Sequence, residues 1–321
     1  MNVHELPMIL FTILAQMSVG AFVVLGIVQI VAARRFGTEA IDKVTDPALY
    51  AIGPAMVLGL AASMFHMNDP MNTLNVLRHF ESSWLTREIV FGAAFAGLGF
   101  VFAVLQWKKW GSTRQRQALA LVTAVVGLLL VASMSMIYYS LVTVPAWNTV
   151  ATPAQFFTTT FLLGALAVGA ALMGTVMWRI RVASQVVDAD ADGDVDVVEG
   201  RVVDPTSRTV LTSTLKGIGI AAVLLLGVEF VIIALHISDL AGGGDVAGES
   251  VAVFSGAWFV ARLVLVFLGA GLLSVFVFRY AGSSATARPL AILVTVAFAL
   301  VLVGELIGRS LFYDSMFRIG M

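Results

Sequence analysis

Between two strongly apolar stretches lies Ser63–Ile89, SMFHMNDPMNTLNVLRHFESSWLTREI, which carries His66, Arg87 and Glu88. An imidazole titrates near neutral pH. Ionisable groups at the end of a membrane helix are costly unless something there uses protons or hydrogen bonds. His66 with Glu88 suits a quinol: the imidazole hydrogen-bonds one ring oxygen, and the carboxylate accepts the proton released as electrons leave. The plainer reading is an interfacial hydrogen-bonded pair with no substrate. Arg78, His79 and Glu81 read as loop residues in contact with solvent or headgroups.

The elements that must position these groups are membrane helices. Hydrophobic residues make up 59% of the 321 positions and charged residues 12%, with a mean hydropathy of +0.95. That balance lies well outside the globular range. A bilayer core of about 30 Å takes about 20 apolar residues per crossing, and the sequence supplies such stretches repeatedly. Short alternating segments, the mark of a membrane β-barrel, are not seen. The fold expected is therefore all-α and polytopic. Eight transmembrane helices are expected near Pro7–Ala33, Pro47–Met67, Leu85–Trp107, Gln117–Leu141, Pro153–Trp178, Leu211–His236, Val251–Phe278 and Pro289–Gly308. The first lacks a basic start and a small-residue cleavage site, so it is expected to remain in the mature protein.

Lysine and arginine concentrate in the connections after the first, third, fifth and seventh of these segments, as Arg34, Arg35, Lys43, Lys108, Lys109, Arg114, Arg116, Arg179, Arg181, Arg201, Arg208, Arg279 and Arg288. By the positive-inside rule both termini then lie on the extracytoplasmic side of the cytoplasmic (inner) membrane, and His66, Arg87 and Glu88 lie toward the outer face. Tyr138, Tyr139 and Trp147 reach the same level. Their rings either wall a flat apolar ring or belong to the interfacial aromatic belt.

A second polar set, Glu229, Arg262, Glu305 and Arg309, falls inside apolar segments. A lone charge there costs about 2.5–3.5 kcal/mol, so these residues either pair with one another or line a proton route. The sequence has no cysteine, which excludes thiolate-held iron–sulfur clusters and disulfides. Of the four histidines only His66 and His236 sit on expected helices, so the four-histidine pattern of two-haem cytochromes cannot be assembled, and no metal or haem site is expected. Asp188–Glu199, DADADGDVDVVE, fits the EF-hand loop template, yet it also reads as a disordered acidic linker. It divides the sequence into a five-helix part (1–178), a cytoplasmic linker (179–210) and a three-helix part (211–321). No nucleic-acid partner is expected.

Three stretches resemble the membrane anchor subunit of dimethyl sulfoxide reductase, the DmsC family. They are HELPMILFTILAQMSVGAFV near the start, ASMFHMNDPMNTLNVLRHFESSWLTREI, and TVPAWNTVATPAQFF. The resemblance is strongest over 1–178; beyond Arg179 it rests on helix count and hydropathy. It implies an anchor that oxidises menaquinol; with the residue reading above, the quinol is expected to bind transiently at His66, Arg87, Glu88, Tyr138 and Tyr139. It also implies that electrons pass to an iron–sulfur subunit serving a molybdopterin catalytic subunit. His66 and Glu88 fall on the family's histidine and glutamate implicated in quinol oxidation. HMNDP departs from the family pattern, with Asn68 and Asp69 where a glycine commonly follows the histidine. Two other functions compete: a secondary transporter coupled through Glu229, Arg262 and Glu305, and a purely structural tether.

Overall fold

The computed structural model describes residues 5–64, 79–187, 205–281 and 287–320. Among these residues the secondary structure is helical, with no strand: α1 Leu6–Phe36, α2 Thr38–Met64, α3 Trp84–Lys108, α4 Thr113–Tyr139, α5 Ala151–Val187, α6 Pro205–Gly242, α7 Asp245–Val253, α8 Ala257–Tyr280 and α9 Ala287–Asp314. Seven are long and apolar enough to cross a membrane: α1, α3, α4, α5, α6, α8 and α9.

Local chemistry sets the helix ends. Pro7 sits in the first turn of α1, where its missing N–H is no loss. Gly37, at φ 81°, ends that helix and donates its N–H to the Ala33 carbonyl at 3.1 Å. Ser83 caps α3 by accepting from the Thr86 amide, and Ser112 with Gln115 forms a capping box on α4.

Two expectations change. The second segment, expected to start at Pro47, belongs to a helix that starts nine residues earlier at Thr38 and keeps Pro47 and Pro54 inside it. Its first half carries Glu39, Asp42, Lys43 and Asp46, and it is not among the seven long apolar helices. The seventh segment, expected unbroken from Val251 to Phe278, is divided at Phe254–Gly256 into α7 and α8. Hydropathy does not register a break of three residues that are themselves apolar or small. α8 in turn contains a π-helical stretch, Phe267–Leu273, the kind of irregularity that local packing rather than composition produces.

Burial identifies the centre of the bundle. The apolar windows of α1 and α5 are 67% and 61% buried, whereas those of the other five spans are 22–39%. α1 packs against α2, α4, α5, α6 and α9, and α5 against α6 and α9. The C-terminal helices therefore close directly onto the N-terminal ones. The α1–α5 contact depends on glycine. A Cβ at Gly20 would overlap the Thr160 carbonyl oxygen, and one at Gly164 would overlap the Gly20 backbone. In lipid, such close backbone approach replaces the hydrophobic drive that water supplies to soluble bundles.

Overpacking at that crossing costs about 1–3 kcal/mol per inserted group. Gly20→Val and Gly164→Val should therefore each lower the thermal midpoint of the detergent-solubilised protein, while the exposed Gly97→Val should not. An unchanged midpoint in both would mean that the two helices do not meet there.

Candidate functional site

On α3 the inward face is written by Thr86, Glu88, Gly92, Phe95, Phe102 and Gln106, all buried at roughly helical spacing. Glu88 is 5% exposed. Arg87, one position earlier and about 100° around the helix, turns away from it. Its guanidinium donates to the carbonyls of Phe80 at 3.0 Å and Glu81 at 2.6 Å and lies 4.1 Å from the centre of the Trp84 ring. The structure thus directs Arg87 into the 79–83 loop, and Glu88 into the bundle.

Glu88 lies within electrostatic range of two tyrosine hydroxyls, those of Tyr138 and Tyr313. These hydroxyls meet at 2.7 Å, joining the end of α4 to the end of α9. Around them Trp147, Phe156 and Phe312 close a buried aromatic cluster. Trp147 stacks on Phe312 at 5.3 Å and donates its indole N–H to the Phe312 carbonyl at 2.8 Å, and Tyr138 meets both rings edge-on at 5.1 Å. Tyr138 and Trp147 are thus interior residues rather than members of an interfacial belt, and a buried Trp or Tyr of this kind carries its polar atom to a partner. Tyr139 is half-buried, and its carbonyl accepts from the Asn148 side chain.

From Tyr313 a polar stripe continues down α9 at spacing four, through Arg309 to Glu305. Arg309 donates to Gln16 Oε1 at 2.9 Å and sits 3.8 Å from the Phe156 ring centre. Gln16, itself fully buried on α1, donates to the Phe156 carbonyl at 3.0 Å. Glu305 accepts from Thr159 at 2.7 Å. Arg262 on α8 donates to Glu229 at 2.8 Å and stands 3.8 Å from Glu305. Of the two sequence readings for these charges, ion pairing describes Glu229, Arg262 and Glu305. Arg309 instead takes an amide partner from the first helix.

Sequence reasoning missed Gln16, Thr159 and Tyr313. The spacing of 305, 309 and 313 was a usable signal, since it places three polar groups on one helix face. Gln16 was a lone amide in an apolar run, and Thr159 was hidden in a threonine triplet. His66 and the acidic stretch Asp188–Glu199 lie outside the described residues. His236 is buried edge-on against Phe254, its Nδ1 without a hydrogen-bond partner among the described residues. Among the described residues no group of three or more His, Asp or Glu is arranged to hold a metal ion.

A different polar cluster marks the opposite end of α3, about 27 Å from Glu88 at 1.5 Å per residue. Lys109 donates to Asp42 at 2.6 Å and Asp46 at 2.7 Å, and Gln106 to Asp46 at 2.8 Å. An apolar cavity of about 180 Å³ opens beside it, lined by Phe22, Gln29, Asp42, Phe102, Gln106 and Arg116.

These features define a polytopic helical membrane protein with a buried polar seam at one end of the bundle. Residues 1–314 match the DMSO reductase anchor subunit (DmsC) family, and the protein belongs to that family. Over 322 residues it is 29% identical to a component of the anaerobic dimethyl sulfoxide reductase of Escherichia coli, an alignment spanning 99% of this sequence and 97% of the relative. A component of the enzyme of the same name from Haemophilus influenzae is 31% identical over 175 residues, 54% of this sequence and 60% of its own length. A component of the sulfite dehydrogenase of Allochromatium vinosum is 28% identical over 143 residues, 40% of this sequence and 42% of its own. The match through residue 314 extends the resemblance beyond the first five helices, to which sequence motifs had tied it. Membership of an anchor-subunit family also displaces the transporter reading.

Burial by itself would lower the Lys109 pKa, but its bonds to Asp42 and Asp46 outweigh that and raise it above the ordinary 10.5. A raised lysine contributes stability that is complete below the unfolded value and is lost as pH rises through the folded one. The contribution of this cluster to thermal stability should therefore be complete and independent of pH near neutrality and fall above the ordinary lysine range. Lys109→Met should remove that alkaline component, measured as melting midpoint against pH. An identical alkaline decline in the variant would assign it to other groups.

Proposed function

We propose that this protein is the quinol-oxidising membrane anchor of a molybdopterin oxidoreductase of the dimethyl sulfoxide reductase kind. Menaquinol binds at the outer ends of the helices, and its two electrons pass to an iron–sulfur subunit that serves the molybdopterin catalytic subunit. Of its two protons, one goes to the Glu88 carboxylate and the other to water at the outer face, while His66 hydrogen-bonds a ring oxygen. The active site for the terminal acceptor lies in another polypeptide. In this reading the protein crosses the inner membrane eight times, the segment 47–67 supplying the second crossing, with both termini outside. The five-helix part and the three-helix part then share one bundle.

The observation that carries this reading is Glu88 itself: a carboxyl 5% exposed, one turn into a capped helix, within range of a buried tyrosine pair. None of the ion pairs among the described residues involves it. A buried ionisable group in a membrane protein is by default a functional candidate. The names of the Escherichia coli and Haemophilus influenzae relatives support the dimethyl sulfoxide reductase assignment. The name of the Allochromatium vinosum relative supports a second direction, in which a reduced substrate gives up electrons as it is oxidised in another subunit and the same site reduces quinone.

Removing a positioned proton acceptor costs about 100- to 10,000-fold in the step it serves. Glu88→Gln should therefore abolish quinol oxidation by membranes containing the complex, and His66→Ala should weaken it. The partner subunits should stay membrane-bound in both. Unchanged turnover in both variants, with assembly intact, would leave the structural-tether reading.

A further inference from the structure

Among the described residues, three carboxyl groups and two guanidinium groups are buried in the helical bundle: Glu88, Glu229 and Glu305 against Arg262 and Arg309, none more than 6% exposed. Ionised throughout, they would carry one surplus negative charge, three less two. An uncompensated charge in such surroundings costs several kcal/mol.

The surplus has a place. Arg262 donates to Glu229 Oε1 at 2.8 Å and stands 3.8 Å from Glu305 Oε1. The Glu229 and Glu305 carboxyl groups thus converge on one nitrogen of the same guanidinium. Among the described residues each retains one buried oxygen with no donor, Glu229 Oε2 and Glu305 Oε1, while the Arg262 and Arg309 Nε–H groups find no acceptor. Thr159 donates to Glu305 Oε2 and the Arg309 Nη2 to Gln16. Two ionised carboxylates are acceptors only and cannot hydrogen-bond one another. A single proton on either makes one a donor and the other its acceptor. The same proton removes the surplus charge.

We propose that Glu229 and Glu305 bind one proton in common and form, with Arg262, a neutral buried unit. Arg309 is then the remaining buried cation and Glu88 the remaining buried carboxyl among the described residues, both within electrostatic range of the Tyr138–Tyr313 hydroxyl pair. The proton site stands without the quinol reading, but its use to keep Glu88 ready to accept a proton rests on that reading.

Infrared difference spectra of the assembled complex test the proposal. A carboxylic-acid carbonyl band should be present in the wild type, shift in heavy water, and shift again when glutamate carboxyls carry heavy carbon. It should persist in Glu88→Gln and vanish in both Glu229→Gln and Glu305→Gln. A wild type with no such glutamate band, a band surviving both of the latter variants, or a band lost only in Glu88→Gln would each overturn the proposal. Charge supplies a second measurement. Each single Gln variant leaves one carboxylate facing Arg262, whereas the double variant strands the guanidinium. Folded protein recovered from membranes should stay within about twofold of wild type in the singles and fall at least about fivefold in the double. Singles as depleted as the double would contradict the shared proton. A Glu88→Gln variant that keeps both band and turnover would defeat the quinol reading alone.

Discussion

A buried guanidinium charge inside a membrane bundle is costly without partners, and among the described residues this protein buries two. Arg309 and Arg262 sit on the last two spans, yet their partners come from across the fold. Gln16 lies on α1, Phe156 on α5 and Glu229 on α6, while Glu305 lies one helical turn below Arg309 on α9. These contacts require the C-terminal helices to close onto the N-terminal ones at one depth and in one register.

Several features follow from that closure. With α9 fixed by Arg309, Tyr313 is placed one turn above it, against Tyr138 at the end of α4. The Phe312 carbonyl next to it receives the Trp147 indole, so the 140–150 connection is tied to the last helix. Glycine makes the approach possible: a Cβ at Gly308 would run into the Arg262 guanidinium, and Gly20 and Gly164 let α1 and α5 touch. Glu88 then meets a hydroxyl pair to which both halves of the protein contribute. On the proposed reading, the proton acceptor is supplied by the N-terminal motif and its electrostatic setting by the C-terminal helices.

The sequence made the helical class legible because hydropathy over about 20 residues is a strong signal. It also made Glu88 legible, as a carboxyl just inside an apolar run. Side-chain direction was harder: Arg87 and Glu88 are adjacent in sequence yet face opposite ways, which helical geometry decides and residue type does not. Tyr138 and Trp147 looked like belt residues because interfacial level can be read from sequence, whereas burial behind a neighbouring helix cannot. The pairing of Arg309 with Gln16 spans 293 positions, beyond any local pattern. The helix starting at Thr38 was placed late because Pro47 and the charges before it resemble a boundary. Inside a folded bundle the same residues were accommodated, with Asp42 and Asp46 receiving Lys109.

On the proposed reading the last helix completes a quinol site begun by Glu88, a dependence that Tyr313→Phe isolates. This change keeps the ring in the aromatic cluster and removes only the hydroxyl that bonds Tyr138. Loss of one such bond corresponds to about 1.4 kcal/mol, or about tenfold in rate. Quinol oxidation by the assembled complex should fall by that order, with the partner subunits still bound to the membrane. Turnover equal to wild type would contradict it and confine the site to the N-terminal helices.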